Sequence, residues 1–461
     1  MRSFIPTRHD MRALVRLAVP IVTVQVGLML MGVVDTIMVG HVSARELAAA
    51  AMGNLYVMGL AVFGMGTLWG LDPIVSQAMG ARDHEAAALG VQRGLALAAV
   101  LSVLMTLLCL PAEPIFRLLR QPPEIVPRAT AYVWLSAPSM IALMPYVALR
   151  QSLQAMKHTR AIVITIVVGN LVNAALNLVF VYGNLGSPAM GAPGSALSST
   201  IGRWVSLALL LALARRELRP VLRPLRREAL AAGPFLRTLR LGLPIGGQVS
   251  VEFGSFAAIS IFAGWFGAEA LSGHQIAINL ASLAFMVPAG IGSAAAVLVG
   301  HAIGDNDAPH ARRVAASALI LGVSFMALCA VVFRFAPGPF ARIYTSVPEV
   351  VAIAVALIPV AGLFQVFDGV QVVSAGVLRG AGDTHAALVA NLLGFWLVGI
   401  PVSLALGFTA KMGVVGLWLG FVAGLFAVAL FLILRVRVKL GGELRRIQLE
   451  TVAEPGTGGP A

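Results

Sequence analysis

Charge is scarce in this sequence. Only 11% of its 461 residues are Asp, Glu, Lys or Arg, while 59% are hydrophobic, and mean hydropathy is +0.90. A soluble domain carries about a quarter charged residues, and so small a share cannot coat a soluble surface of this size. A cytosolic enzyme, a nucleic-acid binder and a disordered scaffold are excluded; a polytopic membrane protein remains. Lysine is rarer still, three against thirty Arg, which reads as compositional bias. The two cysteines, Cys109 and Cys329, each lie inside an apolar run. That argues against a disulfide framework or a Cys-ligated metal and leaves two buried thiols.

Chemical signatures are missing too. No G-x-x-x-x-G-K-[ST] loop offers an ATP site, and no H-E-x-x-H or H-x-E…C-x-x-C pattern suggests a metallohydrolase or deaminase. No G-x-S-x-G elbow is present. Neither an enzyme nor an organic cofactor is expected, and energy for any transport must come from an ion gradient.

Long apolar runs are what the chain has. A spanning helix needs roughly 20 apolar residues. Twelve runs qualify, at about 14–39, 48–74, 87–110, 129–149, 161–182, 195–214, 239–263, 276–300, 312–333, 350–378, 386–407 and 413–434. They are too long for barrel strands. The first is long enough to span, so it reads as a retained helix rather than a signal peptide. With the N-terminus in the cytoplasm, twenty-five of the 33 Lys and Arg fall in cytoplasmic segments and seven in outer loops. The net charge of +13 is therefore a topology signal placing both termini inside, and a nucleic-acid partner is not expected. The basic stretch 215–240 is expected to be a solvated tether with affinity for anionic headgroups. The tail after Lys439 is expected to be disordered.

The two halves repeat. RLAVPI at 16–21 matches RLGLPI at 240–245, which sets Pro20 against Pro244. GHVSARELAA at 40–49 matches GWFGAEALSG at 264–273, and VSQAMGARD at 75–83 matches VGHAIGDND at 299–307. QSLQAMKHT at 151–159 matches GVLRGAGDT at 376–384. Six helices per half put both halves in the same orientation. The fold class expected is all-α integral membrane, two six-helix bundles related by a pseudo-two-fold along the membrane normal. The division is 1–214 for the first bundle, 215–238 for a basic cytoplasmic linker, 239–437 for the second bundle and 438–461 for a cytoplasmic tail. Pro20 and Pro244 serve either as gating kinks or as static packing kinks.

A few polar groups sit where the solvent is lipid. Asp35, Glu252 and Asp368 fall well inside spans, and a carboxylate there calls for a partner, water or a function. Each is a candidate to carry a proton, hold a small cation or attract a cationic substrate. Asp72, near a span end, is expected to reach the headgroups or cap a neighbouring helix. Asn170, Asn173 and Asn177 line one face of the fifth helix, as an ion site or as interhelical glue. Gln248, Glu252 and Ser255 form a polar face on the seventh. Phe364, Asp368 and Gln371 share one on the tenth, with Gln365 nearby. Arg203, the one cation at depth, is expected to pair with an N-half carboxylate or to snorkel. His274 is expected to be a structural hydrogen-bonder. The 17 Met are mostly packing, though Met and Phe also suit a lining for apolar cations.

VDTIMVGHVSARELAA, GLDPIVSQAMGARD and VVSAGVLRGAGDT, in this order, resemble the multidrug and toxic compound extrusion (MATE) family, from about Arg16 to Arg437. Glu252 and Asp368 resemble the NorM-type branch; the DinF-type branch is expected to lack that acidic pair. The resemblance implies a twelve-helix antiporter that exports organic cations and drugs in exchange for Na+ or H+. It would be a monomer in a bacterial inner membrane. Asp35 matches the acid of the first helix, Asn173 and Asn177 the amides of an N-half ion site, possible ligands with Asp35 for Na+. Glu252 and Asp368 match the acidic pair of the C-half. Phe364 departs from the family pattern, which has Tyr four residues before the second acid. The lost hydroxyl weakens a C-half sodium site and favours a proton, or sodium at Asp35. Rivals are a lipid-linked precursor flippase of the same superfamily, a major-facilitator transporter and a non-transporting membrane scaffold. The three deep acids against one Arg favour cationic cargo.

Overall fold

A computed structural model describes residues 5–449. Among these residues, twelve helices are long and apolar enough to cross a membrane. They are α1 (Arg8–Gly40), α2 (Ala44–Gly80), α3 (His84–Cys109), α4 (Val126–Ala155), α5 (Arg160–Phe180), α6 (Ala192–Leu213), α7 (Ala232–Gly264), α8 (Ala268–Gly304), α9 (Ala308–Phe335), α10 (Pro348–Gly380), α11 (His385–Thr409) and α12 (Gly413–Gly441). All twelve expected runs fall on these helices. Most helices outrun them by a turn or more, because their polar ends continue the backbone hydrogen bonding that hydropathy does not register.

The internal repeat reaches the backbone. Helices α1 and α7 are both 33 residues long, α2 and α8 both 37, and each pair starts 224 positions apart. The turn before the third helix of each half is built alike. Arg82 and Asn306 both adopt φ 57°. Asp83 then accepts from Ala86 N–H, as Asp307 does from His310 N–H, each at 2.9 Å. Such caps satisfy backbone donors that a helix start leaves free.

Each half's first helix also packs on the other half. Leu14, Leu17, Ala18 and Ile21 of α1 are buried in the core built mainly by α8, α9, α10 and α12. Asp10 fixes the start of α1 to α9 through Arg313 at 3.1 Å and His310 at 3.2 Å. Reciprocally, α7 lies against α2. A Cβ on Gly66 would meet Gly246 Cα at 2.9 Å, and one on Gly70 would meet Gly242 Cα at the same distance. Only glycine permits so close a backbone approach. Both α1 and α7 remain helical through Pro20 and Pro244.

The hydrogen bonds and ion pairs joining the halves lie at the end that carries the termini. Gln77 Nε2 donates to Gly380 O at 3.0 Å, and His301 Nε2 lies 2.8 Å from Ala155 O. Asp72 is not at the headgroups and caps no helix. It is fully buried between the halves, 3.2 Å from Arg379 Nε, and it accepts from Gln151 Nε2 at 3.1 Å. A carboxylate with one amide donor and one guanidinium beside it is better satisfied inside than a lone span-end acid would be.

The basic linker is also more than a tether. Arg215–Leu222 is helical with Leu218 and Val221 buried. Gln92 of α3 donates to Val221 O and Pro224 O and accepts from Arg226 N–H. Apolar residues among the arginines and one buried amide dock the segment. Helix α7 then begins at Ala232, seven residues before position 239. Part of the tail is likewise ordered. Arg446 pairs with Asp83 at 2.7 Å, Ile447 N–H donates to Gln77 Oε1 at 2.7 Å, and Arg237 donates to Leu449 O at 2.9 Å. Residues 450–461 of the expected disordered tail lie outside the described residues. Cys109 is buried, Cys329 is partly exposed, and both are free thiols.

Candidate ion and cation sites

The N-half site gathers around Asp35 on α1. Asn177 Nδ2 of α5 donates to Oδ1 at 2.5 Å, and Ser199 Oγ of α6 donates to Oδ2 at 2.8 Å. Asn173 Nδ2 donates to Ser199 Oγ at 3.2 Å, and Asn173 Oδ1 accepts from Asn177 at 3.3 Å. Both amides are fully buried, and Asn177 Oδ1 has no partner among the described residues. Each asparagine thus uses its donor half inside the cluster. Its carbonyl, with the carboxylate and the hydroxyl, forms a set of oxygens. Hard cations take such oxygens. A cavity of about 70 Å3 beside them is bordered by Asp35, Asn54 and Tyr132. Among the described residues no cluster of three or more His, Cys, Asp or Glu offers a site for a transition metal.

Two other expected residues, Asn170 of the stripe and Arg203 of α6, behave otherwise. Asn170 donates to Gly27 O at 2.8 Å and so joins α5 to α1 as glue, outside the Asp35 cluster. Arg203 makes no ion pair with a carboxylate among the described residues. It donates to Ser139 Oγ at 2.6 Å, with its charge near Asp35 and Tyr132. Ser139 occupies the nearer position, so the charge acts on Asp35 through space.

The C-half site is different in kind. Glu252 Oε2 of α7 accepts from Gln371 Nε2 of α10 at 3.1 Å and from Asn391 Nδ2 of α11 at 3.0 Å. Asp368 of α10 borders the same cavity of about 320 Å3. Phe253, Phe256, Phe285, Met286 and Phe364 line it, and Val62 of the N-half closes one side. Two carboxylates on one apolar cavity repel when both are ionised, and a proton or a cation relieves that repulsion. Aromatic faces add attraction for an organic cation.

Phe364 belongs to an aromatic box. It stacks on Phe421 at 5.3 Å between centroids and meets Trp418 and Phe256 edge-on. The hydroxyl that a tyrosine would bring is missing from the cavity wall. Gln365 is buried beside Ala281 O at 3.5 Å, and its Oε1 has no partner among the described residues. Gln248 is buried, and Ser255 turns back to Glu252 O at 2.7 Å; neither bonds a carboxylate. His274 is structural. Trp418 Nε1 donates to its Nδ1 at 3.1 Å, so the ring proton sits on Nε2, facing Ser260 Oγ at 2.9 Å.

Sequence reading missed Ser199, which is one of several small hydroxyl residues on its helix, with Ser195, Ser198, Thr200 and Ser206, and carries no charge to mark it out. It also missed Asn391, whose only local signal is an amide just before a wide-turned segment of α11, residues 392–399. Wide turns of this type cluster at functional sites.

A family model described as MatE matches residues 20–179 and 244–405, one match in each half. The chain is 32% identical to the multidrug resistance protein MdtK of Edwardsiella ictaluri over 441 residues, covering 93% of this chain and 95% of that protein. It is 34% identical to the probable multidrug resistance protein NorM of Mesorhizobium japonicum over 445 residues, covering 93% and 94%. Among solved structures it resembles the eukaryotic MATE transporter AtDTX14, with a TM-score of 0.85, 21% identity and coverage of 94% and 98%. It also resembles a MOP superfamily transporter from Pyrococcus furiosus, with a TM-score of 0.84, 18% identity and coverage of 94% and 96%.

Proposed function

Because the chain belongs to the multidrug and toxic compound extrusion family, we propose that it exports organic cations in exchange for sodium ions or protons. Its cargo is a family of amphipathic small molecules, and no catalytic step accompanies their passage. The observation that carries this reading is the Glu252–Asp368 pair on an aromatic-lined cavity of about 320 Å3. Such a cavity supplies negative charge and apolar surface together, the complement of an amphipathic cation.

The charge distribution supports a bacterial inner-membrane location with both termini in the cytoplasm. The contacts between halves then lie on the cytoplasmic side, which corresponds to an outward-open state. In the mechanism we propose, a cation from outside neutralises the carboxylates and releases the drug. The bundles then rock, opening the cytoplasmic seam. Loss of the ion to the cytoplasm restores the charge, and the next drug binds. Ion and drug compete for one charge, so exchange follows from linkage.

The Asp35 cluster, with its amide and hydroxyl oxygens, suits sodium. The C-half pair, with Phe364 in place of a hydroxyl ligand, suits a proton. The test is uptake of a fluorescent organic cation into inverted vesicles, under an imposed sodium gradient or an imposed pH gradient. Uptake driven by either gradient and abolished by Glu252→Gln is expected. Absence of uptake under both would overturn the reading.

A further inference from the structure

One large cavity belongs to neither carboxylate site. It measures about 1000 Å3 and lies at the terminus-bearing end, between the start of α1, the α4–α5 connection and the end of α6. Arg12, Arg16, Lys157 and Arg160 line it, with His9 and His158, against a single carboxylate, Glu217. His9, Arg12 and Arg16 share one face of α1. Lys157, held at φ 64°, and Arg160 face them from the α4–α5 reversal.

These four fixed cations share one carboxylate, Glu217, in the cavity lining. Among the described residues, none of the four fixed cations forms an ion pair with a carboxylate. Glu217 is not spent on them either, since its Oε2 is buried without a hydrogen-bond partner. Four like charges around one cavity repel, and an anion between them removes that cost. The polarity is opposite to that of the Asp35 and Glu252–Asp368 sites, so a cationic cargo is excluded here.

The wall composition selects the kind of anion. Leu17, Leu153 and Leu298 form the apolar part of the cavity. On the outside of α1, Val15 and Val19 are exposed, at 38% and 58%. The cavity sits where spanning helices begin and end, the depth of phospholipid headgroups. Basic pockets between spans at that depth take anionic lipid heads. We propose that this cavity binds the phosphate head of an anionic phospholipid, its acyl chains lying along the exposed flank of α1. The bound phosphate would hold the start of α1 against the α4–α5 reversal. That same start is tied to α9 through Asp10 and Arg313.

The test is native mass spectrometry of the full chain, titrated with phosphatidylglycerol or phosphatidylcholine. Wild type should prefer phosphatidylglycerol by tenfold or more. Arg12→Gln/Arg16→Gln/Arg160→Gln should weaken phosphatidylglycerol binding by roughly a hundredfold, about fivefold per cation. A charge-matched control, Arg216→Gln/Arg219→Gln/Arg223→Gln in the linker, should leave most of the preference. Equal loss in both variants, or retention in the first, overturns the proposal. Millimolar inorganic phosphate should not displace the lipid; displacement would assign the cavity to a free phosphate anion instead. A photoactivatable phosphatidylglycerol supplies a readout on wild type alone. Cross-links at the start of α1 or at 157–160 are expected, and cross-links only elsewhere would overturn the assignment.

Discussion

Asp72 of the N-half and Arg379 of the C-half form a buried ion pair, Oδ2 to Nε 3.2 Å, across the seam between the bundles. The guanidinium also lies over the Trp69 ring at 5.2 Å, and the charge of Arg150 acts on the same carboxylate. One anion therefore serves two cations. The pair closes the terminus-bearing end and, in the mechanism proposed above, parts when that end opens.

Breaking it from the two sides should not cost the same. Asp72→Asn leaves two buried cations unpaired, whereas Arg379→Gln leaves Asp72 with Arg150 and Gln151. Loss of one partner of a buried pair costs about 3–5 kcal/mol. We expect Asp72→Asn to lie at the upper end of that range and Arg379→Gln at the lower, read as loss of thermal stability in detergent. An equal loss in both variants would contradict a shared anion.

At the N-half site, Ser199→Ala and Asn177→Ala each remove a hydrogen bond to the Asp35 carboxylate. Bonds to charged groups contribute about 1.5–3 kcal/mol, so either change should weaken sodium binding by tenfold or more. Asn170→Ala should leave it nearly unchanged, because that amide bonds the Gly27 carbonyl. Sodium titration by isothermal calorimetry separates the three.

At the C-half site, Asn391→Ala should lower cation export while Glu252→Gln abolishes it. The amide supports the carboxylate without supplying the charge. Phe364→Tyr restores an oxygen at the cavity wall and should raise the response of transport to an imposed sodium gradient. Unchanged sodium dependence in that variant would remove the aromatic position from ion selection.

The tail should act as a strap. Deleting residues 443–461 removes the Arg446–Asp83 and Ile447–Gln77 contacts, which cross from one half to the other. We expect faster hydrogen exchange at 76–84 as the seam opens more often. Asp83 is held below the usual aspartate value, chiefly by the Ala86 N–H and then by Arg446. The sign follows: a depressed carboxyl stabilises the fold above its unfolded value and loses that contribution as pH falls through the folded one. Strap protection should therefore be flat through neutral pH and fade only in strong acid. A loss between pH 6 and 8 would point to another group.

Much of this was legible because lipid imposes simple rules. Run length alone places twelve helices, and offsets of a few short motifs expose the repeat. Deep carboxylates stand out for the same reason, since few other residues in apolar runs carry charge. What escaped depends on contacts between segments far apart in sequence. Ser199 lies 164 residues from Asp35 and Asn391 lies 139 from Glu252. Ser199 is uncharged among several other small hydroxyl residues, and Asn391 sits in an otherwise apolar run, so neither announces itself. Asp72 escaped differently, because a span-end acid looks solvated until the other half of the chain is laid against it. The linker misled through its arginines, which hide Leu218 and Val221 on its docked face.

The seam between α2 and α7 is glycine against glycine, Gly66 on Gly246 and Gly70 on Gly242. A leucine seam would resist separation by about 1.5–3 kcal/mol for every side chain bared to water. Here parting bares mainly backbone, which water can solvate. The contribution of this glycine contact to the difference between the sealed and parted forms is thereby kept small. Differential binding of about 5.5 kcal/mol carries a two-state equilibrium from one extreme to the other, and a shallow difference asks for less. In the mechanism proposed above, a single small ion would then suffice as a trigger, because this part of the seam has almost no side-chain contact to lose.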